Sequence, residues 1–456
     1  MKTAAKLFIA LMSLVLLTFW LPRAFLPEQG DLPPQSLEFV GFFPQGEGVD
    51  IETLITLELA DLPDPETLEG RFSIYPEIPG RLEVEGEKVH FIPSIPLDYH
   101  TRYLVTVSEG VRCLLGGVLE EAVTLEFTTR PRPPLKIYAV GDIMLDQLTK
   151  QRLTEYDPAY PFARVGDILR QGDVVFGNLE SPISQRGKAL PGKRYTFRAL
   201  PFSAAGLIDG GVNLVSLANN HIMDYGPEAL EDTLDILDEH GIYHAGAGRN
   251  LDQAHAGAIL ETAGYRVGLL AYTDDFAVPA SFRPIWGAAP DAPGAALIHD
   301  RDRIEADIRR LRPEVDLLLV SFHWGIEYTY RITAQQQELG RLAIDAGADM
   351  ILGHHPHVPQ GVEIYRGKPI VYSLGNFIFY PFINPKTHDT LILEADFHQG
   401  EFTSVALLPV RGGDSQPYLP EGREAEDLAS LLGKLLTEFD TPYAFRDGKI
   451  QLQLER

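Results

Sequence analysis

The chain has 456 residues, longer than a typical single domain, so two or more domains are expected. Hydrophobic residues make up 45% of it and charged residues 23%, which excludes a disordered chain, a collagen-like repeat and a protein with many membrane spans. The net charge of −25 argues against non-specific nucleic-acid binding. The single cysteine, Cys113, excludes an intrachain disulfide and a zinc site built from several cysteines.

Residues 1–24 have the pattern of an export signal. Lys2 and Lys6 precede an uncharged stretch over residues 7–22, and Arg23 follows it. As a helix this stretch would reach about 24 Å, short of a hydrocarbon core of about 30 Å. A cleaved signal peptide and a retained N-terminal membrane anchor both remain open, and the lack of a clear cleavage site slightly favours the anchor. Either one predicts an exported chain, at the cell surface or anchored with its domains outside the cytoplasm.

Residues 36–130 are predicted to form short β-strands. Apolar and polar residues alternate over 55–59, 103–107 and 125–128, and glycine or proline turns separate such runs. Several short strands in one segment are typical of an immunoglobulin-like (Ig-like) β-sandwich, and residues 89–129 resemble bacterial Ig-like surface domains. The segment carries no cluster of acids and histidines, which predicts a spacer or a binding module.

After a proline-rich linker at 130–134, continuous apolar runs alternate with helical patterns. The runs cover 136–140, 174–176, 214–217, 267–271, 317–321 and 350–352. The helical patterns cover 229–239, 302–312 and 335–346. Continuous apolar strands indicate a sheet buried on both faces, so residues 135–410 are predicted to be an α/β domain. Residues 411–456 are predicted to be a C-terminal extension with one helix at 425–439.

Polar residues of the kinds that bind metals follow most of these predicted strands. They are Asp142, Asn178, Glu180, Asn220, His221, Asp224, His323, His354, His355 and His357. Ligands bind outside the carboxyl ends of strands in α/β sheets. Most of these motifs alone are explained as well or better by a turn, a helix cap or a buried histidine. The pair His355 and His357 is a stronger signal, because residues i and i+2 of an extended chain lie on one side, and the recurrence of all the motifs favours a metal site. Carboxylates, amides and imidazoles predict one or two divalent ions, Mn, Fe or Zn, able to bind a phosphoryl group and activate water.

The order Gly-Asp, Gly-Asn-x-Glu, Asn-Asn-His, His-Trp-Gly and His-x-His resembles the poly-γ-glutamate capsule-synthesis (CapA) family. That family is similar to the calcineurin-like metallophosphoesterases. The resemblance covers residues 135–410 and includes the segments 193–199 and 372–377. It implies a metallophosphoesterase-like two-sheet α/β sandwich, preceded here by the all-β Ig-like sandwich.

The resemblance also implies a role for each motif. Asp142 and His357 would bind a first metal ion, Asn220, His323 and His355 would bind a second, and Glu180 would take the place of a bridging aspartate. His221 would be the catalytic acid or the group that stabilises the transition state. Two departures weaken the expectation of an ordinary phosphatase. Met144 replaces a histidine of the superfamily, and Glu180 is a different carboxylate at an altered spacing.

Five further residues are predicted to support the site. Arg194 and Arg198 could form a fork for a phosphate or carboxylate, although a solvated pair on a loop is equally consistent with the sequence. Asn178, Asp224 and Asn376 are expected to orient neighbouring ligands through hydrogen bonds.

Two functions remain consistent with the sequence. The first is an extracytoplasmic CapA-like metal-binding protein of capsule (poly-γ-glutamate) or cell-envelope polymer biosynthesis. It would act as a hydrolase on a phosphoester, amide or ester, using metal-bound water. The alternative is a non-catalytic polymer-binding or scaffold component of a membrane complex for capsule synthesis and export. His221 favours the first and Met144 the second. The expected partners are an anionic polymer or a phosphoester substrate and membrane proteins of capsule synthesis, and nucleic acid is excluded.

Overall fold

The computed structural model describes residues 36–454 except 115, 277 and 381–383. The predicted signal or anchor at residues 1–24 lies outside the described part. The chain divides into two compact units, one that ends at Arg132 and one that begins at Pro133. Among the described residues, no helix has both the length and the apolar character needed to span a membrane.

The first unit is an all-β sandwich. Its elements are β1 (Phe39–Phe43), β2 (Gly46–Val49), β3 (Ile55–Leu59), α1 (Pro65–Leu68), β4 (Phe72–Tyr75), β5 (Gly80–Glu85), β6 (Lys88–Pro93), β7 (Arg102–Val107) and β8 (Val123–Thr129). They form two four-stranded sheets, in the orders β1-β3-β6-β5 and β2-β8-β7-β4. Alternate residues such as Ile55, Leu57, Tyr103 and Val105 are buried between the sheets. The all-β sandwich is confirmed. The Ig-like relationship stays a prediction, with which this strand order is compatible.

The second unit contains the remaining strands and helices. The first strands are β9 (Leu135–Ile143), β10 (Val174–Leu179), β11 (Leu214–Ser216), β12 (Tyr243–Ala245), β13 (Ala247–Gly248), β14 (Ala258–Thr262), β15 (Tyr265–Thr273), β16 (Gly294–Ala295) and β17 (Leu317–His323). They are followed by β18 (Met350–His354), β19 (Val362–Tyr365), β20 (Lys368–Val371), β21 (Asn376–Ile378), β22 (Asp389–His398), β23 (Glu401–Arg411), β24 (Tyr443–Arg446) and β25 (Lys449–Leu452). The helices are α2 (Gln147–Glu155), α3 (Gly166–Leu169), α4 (Ala204–Asp209), α5 (Pro227–Glu239), α6 (Leu251–Ala256), α7 (Arg301–Leu311), α8 (Ala334–Ala346) and α9 (Gly422–Thr437).

Two large sheets organise this unit. One has the order β12-β11-β10-β9-β22-β23-β25-β24, with β21 beside β9, and the other has the order β14-β15-β17-β18-β20-β19. The strands from β12 to β9, and those from β15 to β20 in the second sheet, run parallel. All their carboxyl ends therefore lie at one edge of each sheet.

The two sheets pack face to face. Ile137 and Phe176 of the first sheet share a buried core with Leu269 and Leu319 of the second. Helix α5 covers the outer face of the first sheet, and α7 and α8 cover that of the second. Each fully buried aliphatic side chain contributes about 1.5–3 kcal/mol of transfer free energy. This arrangement confirms the predicted two-sheet α/β sandwich.

The predicted C-terminal extension lies within the second unit. Helix α9 buries Leu428 and Leu432 in the core between the sheets. Strands β24 and β25 join the edge of the nine-stranded sheet. The sequence predicted the helix but not these two strands.

Candidate metal centre

Strand register brings the predicted ligands together. Asp142 near the end of β9 lies opposite Asn178 of β10 and opposite Asn376 of β21. In the second sheet, His323 at the end of β17 lies beside His354 at the end of β18. The loops that follow β10, β11 and β18 add the remaining predicted ligands, Glu180, Asn220, His221, His355 and His357.

The side chain of Glu180 lies at the centre of this group. Its Oε1 atom is 3.8 Å from Nε2 of His221 and 3.9 Å from the Nε2 atoms of both His323 and His357. Glu180 is fully buried, and neither of its carboxylate oxygens has a hydrogen-bond partner among the described residues. A buried charge without a partner is strongly unfavourable. The donors present therefore fit a bound cation.

Asp142 provides the second buried carboxylate. Its Oδ1 atom accepts a hydrogen bond from Asn178 Nδ2 at 2.9 Å and lies 3.1 Å from His354 Nδ1. Oδ2 lies 3.3 Å from His357 Nδ1 and is without a hydrogen bond within the described part of the chain. Ligand atoms of Asp142, Glu180 and His357 all lie within 4.8 Å of one another. These three residues could hold one divalent ion.

The two buried carboxylates differ in their affinity for a proton. Burial by itself raises the pKa of Asp142, but the close contacts and charges of His354 and His357 outweigh burial and hold that pKa well below its ordinary value. Burial, and next the charge of Asp142, raise the pKa of Glu180 well above its ordinary value. Asp142 is therefore ionised at neutral pH, whereas Glu180 needs either a proton or a cation.

A second set of candidate metal ligands lies beside the first. His323 Nε2 is 2.9 Å from Asn220 Oδ1, and His355 Nδ1 is buried without a hydrogen bond to any described residue. Burial, followed by the neighbouring histidines, lowers the pKa of His323 well below its ordinary value and that of His355 to about 3. Both rings are therefore neutral at pH 7, the form that binds metals.

The loop after β18 holds its two histidines in an unusual conformation. His355 has φ 93° and His357 has φ 59°, a region that residues other than glycine seldom adopt. Asn376 Oδ1 lies 2.8 Å from His357 Nδ1 and so directs the Nε2 atom towards Glu180. This contact supports the predicted role of Asn376 in orienting a neighbouring ligand. The hydrogen bond from Asn178 to Asp142 supports the same role for Asn178.

His221 is fixed on the opposite side of Glu180. Its Nδ1 atom donates to Asp224 Oδ2 at 2.7 Å, and the ring of Phe197 stacks on the imidazole with the centroids 4.2 Å apart. Asp224 also accepts a hydrogen bond from the backbone N–H of Phe197 and forms an ion pair with Lys193. Burial, and next the charge of Lys193, lower the pKa of His221 to about 4. The Nε2 atom therefore points at the centre from a fixed, neutral ring.

The two predicted substrate-binding arginines have different surroundings. The guanidinium of Arg198 donates to the carbonyl oxygen of Arg186 at 2.8 Å and lies 4.1 Å from the ring centre of Tyr225. Arg194 lies over Tyr195 and lines a cavity beside the centre. Arg198 is thus already bound to protein groups, whereas Arg194 faces a cavity. A substrate-binding role for Arg194 stays a prediction.

Three residues near the centre were assigned no role from the sequence. His354 is fully buried against Asp142, Lys193 is buried against Asp224, and Glu327 lies near His355 and His357. His354 was named among the residues that follow the predicted strands but was given no role. Lys193 precedes the arginines that received the binding role. Glu327 follows the His-Trp-Gly motif but does not directly follow a predicted strand, so a position at a strand end could not reveal it.

Two cavities open beside His221. One is lined by aromatic residues as well as by the site itself. These aromatic residues are Tyr195, Phe197, Tyr328 and Phe379. The other is lined by Arg194 and Arg283 among others. Both cavities are lined by Tyr195, His221 and Glu327.

The fold and the donor set define an α/β protein with a candidate metal centre between two sheets. Residues 136–381 match the model of a family described as bacterial capsule synthesis protein PGA_cap. The chain belongs to this family.

The chain is also similar to three proteins whose names refer to capsule, PGA or polyglutamine synthesis. The chain is 32% identical over 256 residues to the capsule biosynthesis protein CapA of Bacillus anthracis, a match that covers 55% of this chain and 61% of that protein. It is 28% identical to the PGA biosynthesis protein CapA of Bacillus subtilis, with 69% of this chain and 81% of the relative covered. It is 31% identical to a probable polyglutamine synthesis accessory protein of Mycobacterium tuberculosis, with 60% and 74% covered.

Among solved structures, the chain is similar to a putative 5'-nucleotidase from Staphylococcus aureus. The identity is 17%, the TM-score is 0.37, and the match covers 66% of this chain and 58% of the other.

Proposed function

We propose that the protein is a metal-dependent hydrolase that acts outside the cytoplasm in the biosynthesis of capsule poly-γ-glutamate or of another envelope polymer. The family and the names of the relatives support the capsule setting. The observation that carries the hydrolytic part is Glu180, a buried carboxylate on which three imidazole nitrogens converge and whose oxygens have no described partner. A site of this kind is suited to holding divalent ions, Mn, Fe or Zn.

Each part of the site has a role in this proposal. Asp142, Glu180 and His357 would hold one ion, and Asn220, His323 and His355 the other. When bound, divalent ions supply Lewis acidity for water and for the substrate oxygen. His221, neutral and held by Asp224 through Nδ1, would take up a proton at Nε2 as water attacks and then pass that proton to the leaving group. Asp224 would stabilise the charged ring between the two transfers.

Metal content is the direct test of this proposal. The purified chain, loaded with Mn²⁺ or Zn²⁺ and desalted, should hold about two equivalents by mass spectrometry if both sets of donors bind. Glu180→Gln and His355→Ala should lose metal. The matched controls Glu239→Gln and His240→Ala change exposed residues at the end of α5 and should keep it. A wild-type chain that stays free of metal under these conditions would contradict the proposal.

Activity is tested next, on phosphomonoesters, phosphodiesters and poly-γ-glutamate. His221→Ala should keep the bound metal and lose at least about 100-fold in kcat, the usual contribution of a general acid. Equal turnover by the wild type and this variant would exclude the assigned role of His221.

An alternative function is a non-catalytic polymer-binding or scaffold component of a membrane complex for capsule synthesis. One observation favours it: Met144 is buried and its sulfur accepts a hydrogen bond from Asp146 N at 3.1 Å, so this side chain adds no free donor. One relative carries the name of an accessory protein. A chain that binds metal and polymer but hydrolyses none of the substrates would support this alternative.

The extracytoplasmic location is part of the proposal and has its own test. Residues 1–35 fused to a phosphatase reporter that is active only outside the cytoplasm should give activity, and a fusion with Lys2 and Lys6 changed to glutamate should give much less. Equal inactivity of both fusions would contradict export.

A further inference from the structure

Glu327 lies on the exposed side of the candidate metal centre, in the loop that follows β17. Ligand atoms of Glu327, His355 and His357 all lie within 4.8 Å of one another. Two ligands of one zinc-like ion, each at about 2.0–2.2 Å, are at most about 4.4 Å apart. The carboxylate of Glu327 is therefore within a few tenths of an ångström of the spacing that two ligands of one ion require.

Backbone hydrogen bonds join the segment that carries Glu327 to the segment that carries the two histidines. The backbone N–H of Trp324 donates to the carbonyl of His354 at 3.1 Å, and that of Tyr328 donates to the carbonyl of Pro356 at 2.8 Å. The ring of Tyr328 also stacks on His357, with the centroids 5.9 Å apart. Glu327 thus keeps its place relative to the histidine ligands, although its own side chain is exposed.

The buried candidate ligands carry too little negative charge to balance two divalent ions. His355 Nδ1 is buried and makes no hydrogen bond within the described residues. The only carboxylates among the buried predicted ligands are Asp142 and Glu180, so two divalent ions would retain an excess of positive charge. Met144 lines the same cavity as Glu327, but its sulfur already accepts a hydrogen bond.

We propose that Glu327 is a further metal ligand, which completes the centre from the solvent side and compensates for the missing donor at Met144. The inference rests on the proposed metal-dependent function, and it assigns to Glu327 a role in binding the metal. The carboxylate would lower the affinity of the centre for competing anions and add one negative charge beside the bound ions.

The test measures metal affinity in the full chain, by calorimetry and by competition with a chelator, using Mn²⁺ alone. Glu327→Gln keeps the shape of the side chain and removes its charge. It should weaken the binding of at least one equivalent of Mn²⁺ by ten-fold or more. Glu327→Asp, which keeps the carboxylate, should lose less. Glu239→Gln is the matched control and should bind as the wild type does.

Folding is followed in the same samples. Because Glu327 is exposed, the melting temperature of Glu327→Gln without metal should equal that of the wild type. Its gain in melting temperature on adding Mn²⁺ should be smaller, because a weaker ligand stabilises less at the same concentration.

The outcomes separate this inference from the proposed function. If the wild type and Glu239→Gln bind no metal, the proposed function itself fails. If both bind metal and Glu327→Gln binds it with the same affinity and stoichiometry, the ligand role of Glu327 is overturned while the metal centre stands. A loss of turnover without any loss of metal affinity would likewise overturn it.

Discussion

Lys193 is the buried cation that accompanies the assigned catalytic histidine. Its side chain is only 6% exposed, and its ammonium contacts both the carboxylate of Asp224 and the carbonyl of Asn220. It also lies 4.8 Å from the ring centre of Trp286, which adds a cation–π interaction. Burial lowers the pKa of Lys193, and the carboxylate of Asp224 opposes that shift. The pair therefore holds Asp224 in the position from which it orients His221.

Replacing Lys193 should destabilise the second unit. Lys193→Met removes the cation and leaves the fully buried Asp224 with less compensation, for which a loss of about 3–5 kcal/mol in the free energy of unfolding is expected. Lys188→Met changes an exposed lysine nearby and should alter stability by less than about 0.5 kcal/mol. Urea unfolding of both variants measures the difference. Equal free energies of unfolding for the two variants would show that the ion pair of Lys193 and Asp224 makes no net contribution to stability.

At the residue scale, the sequence predicted ligands that directly follow strands and missed groups that only tertiary packing assembles. Asp142 and His323 were predictable because the ends of parallel strands meet at one edge. Lys193 was not, because its partner Asp224 lies 31 residues further along the chain. The contacts of Arg198 with protein groups could not be predicted for a related reason. No local pattern shows that a backbone carbonyl of Arg186 already binds Arg198.

At the scale of elements, the close approach of β21 to β9 shapes the metal centre. The backbone N–H of Asp142 donates to the carbonyl oxygen of Gly375 at 2.9 Å. A Cβ atom added at Gly141 would lie 1.8 Å from that same oxygen. Only glycine at position 141 lets the two segments come close enough for Asn376 to reach His357.

Gly141→Ala should therefore separate these segments. We expect a loss of about 1–3 kcal/mol in the free energy of unfolding, the usual cost of overpacking, together with weaker metal binding. Gly41→Ala is the control, since no heavy atom lies within 4 Å of its added Cβ and its φ is ordinary. Calorimetric unfolding and metal content would be measured for both. Full metal occupancy in Gly141→Ala would show that the centre tolerates the displacement.

Elements with a strong local pattern were predicted well. The helical patterns at 229–239, 302–312 and 335–346 correspond to α5, α7 and α8, whose apolar faces cover the sheets. Strands β21, β24 and β25 were not predicted, because three or four residues carry too little periodicity. Their position depends on pairing with strands that are distant in sequence, which no local pattern reveals.

At the scale of the whole molecule, the candidate metal ligands lie in the second unit. Among the described residues, every group of acids and histidines close enough to share an ion lies beyond Pro133. The first unit has its own buried core of apolar side chains. The two units should therefore respond differently to the removal of metal.

Chelation with EDTA should lower the melting temperature of the second unit and leave that of the first unchanged. At a free metal concentration of 100 times the dissociation constant, one bound ion stabilises the folded state by about 2.7 kcal/mol. Removal of the ion also leaves Glu180 buried without a partner in the described structure, so unfolding becomes easier. Differential scanning calorimetry of the full chain with and without EDTA would resolve the two transitions. His355→Ala, which lacks a ligand, should show a smaller shift than the wild type. A shift of both transitions by equal amounts would mean that the metal acts on the whole chain rather than on the centre between the two sheets.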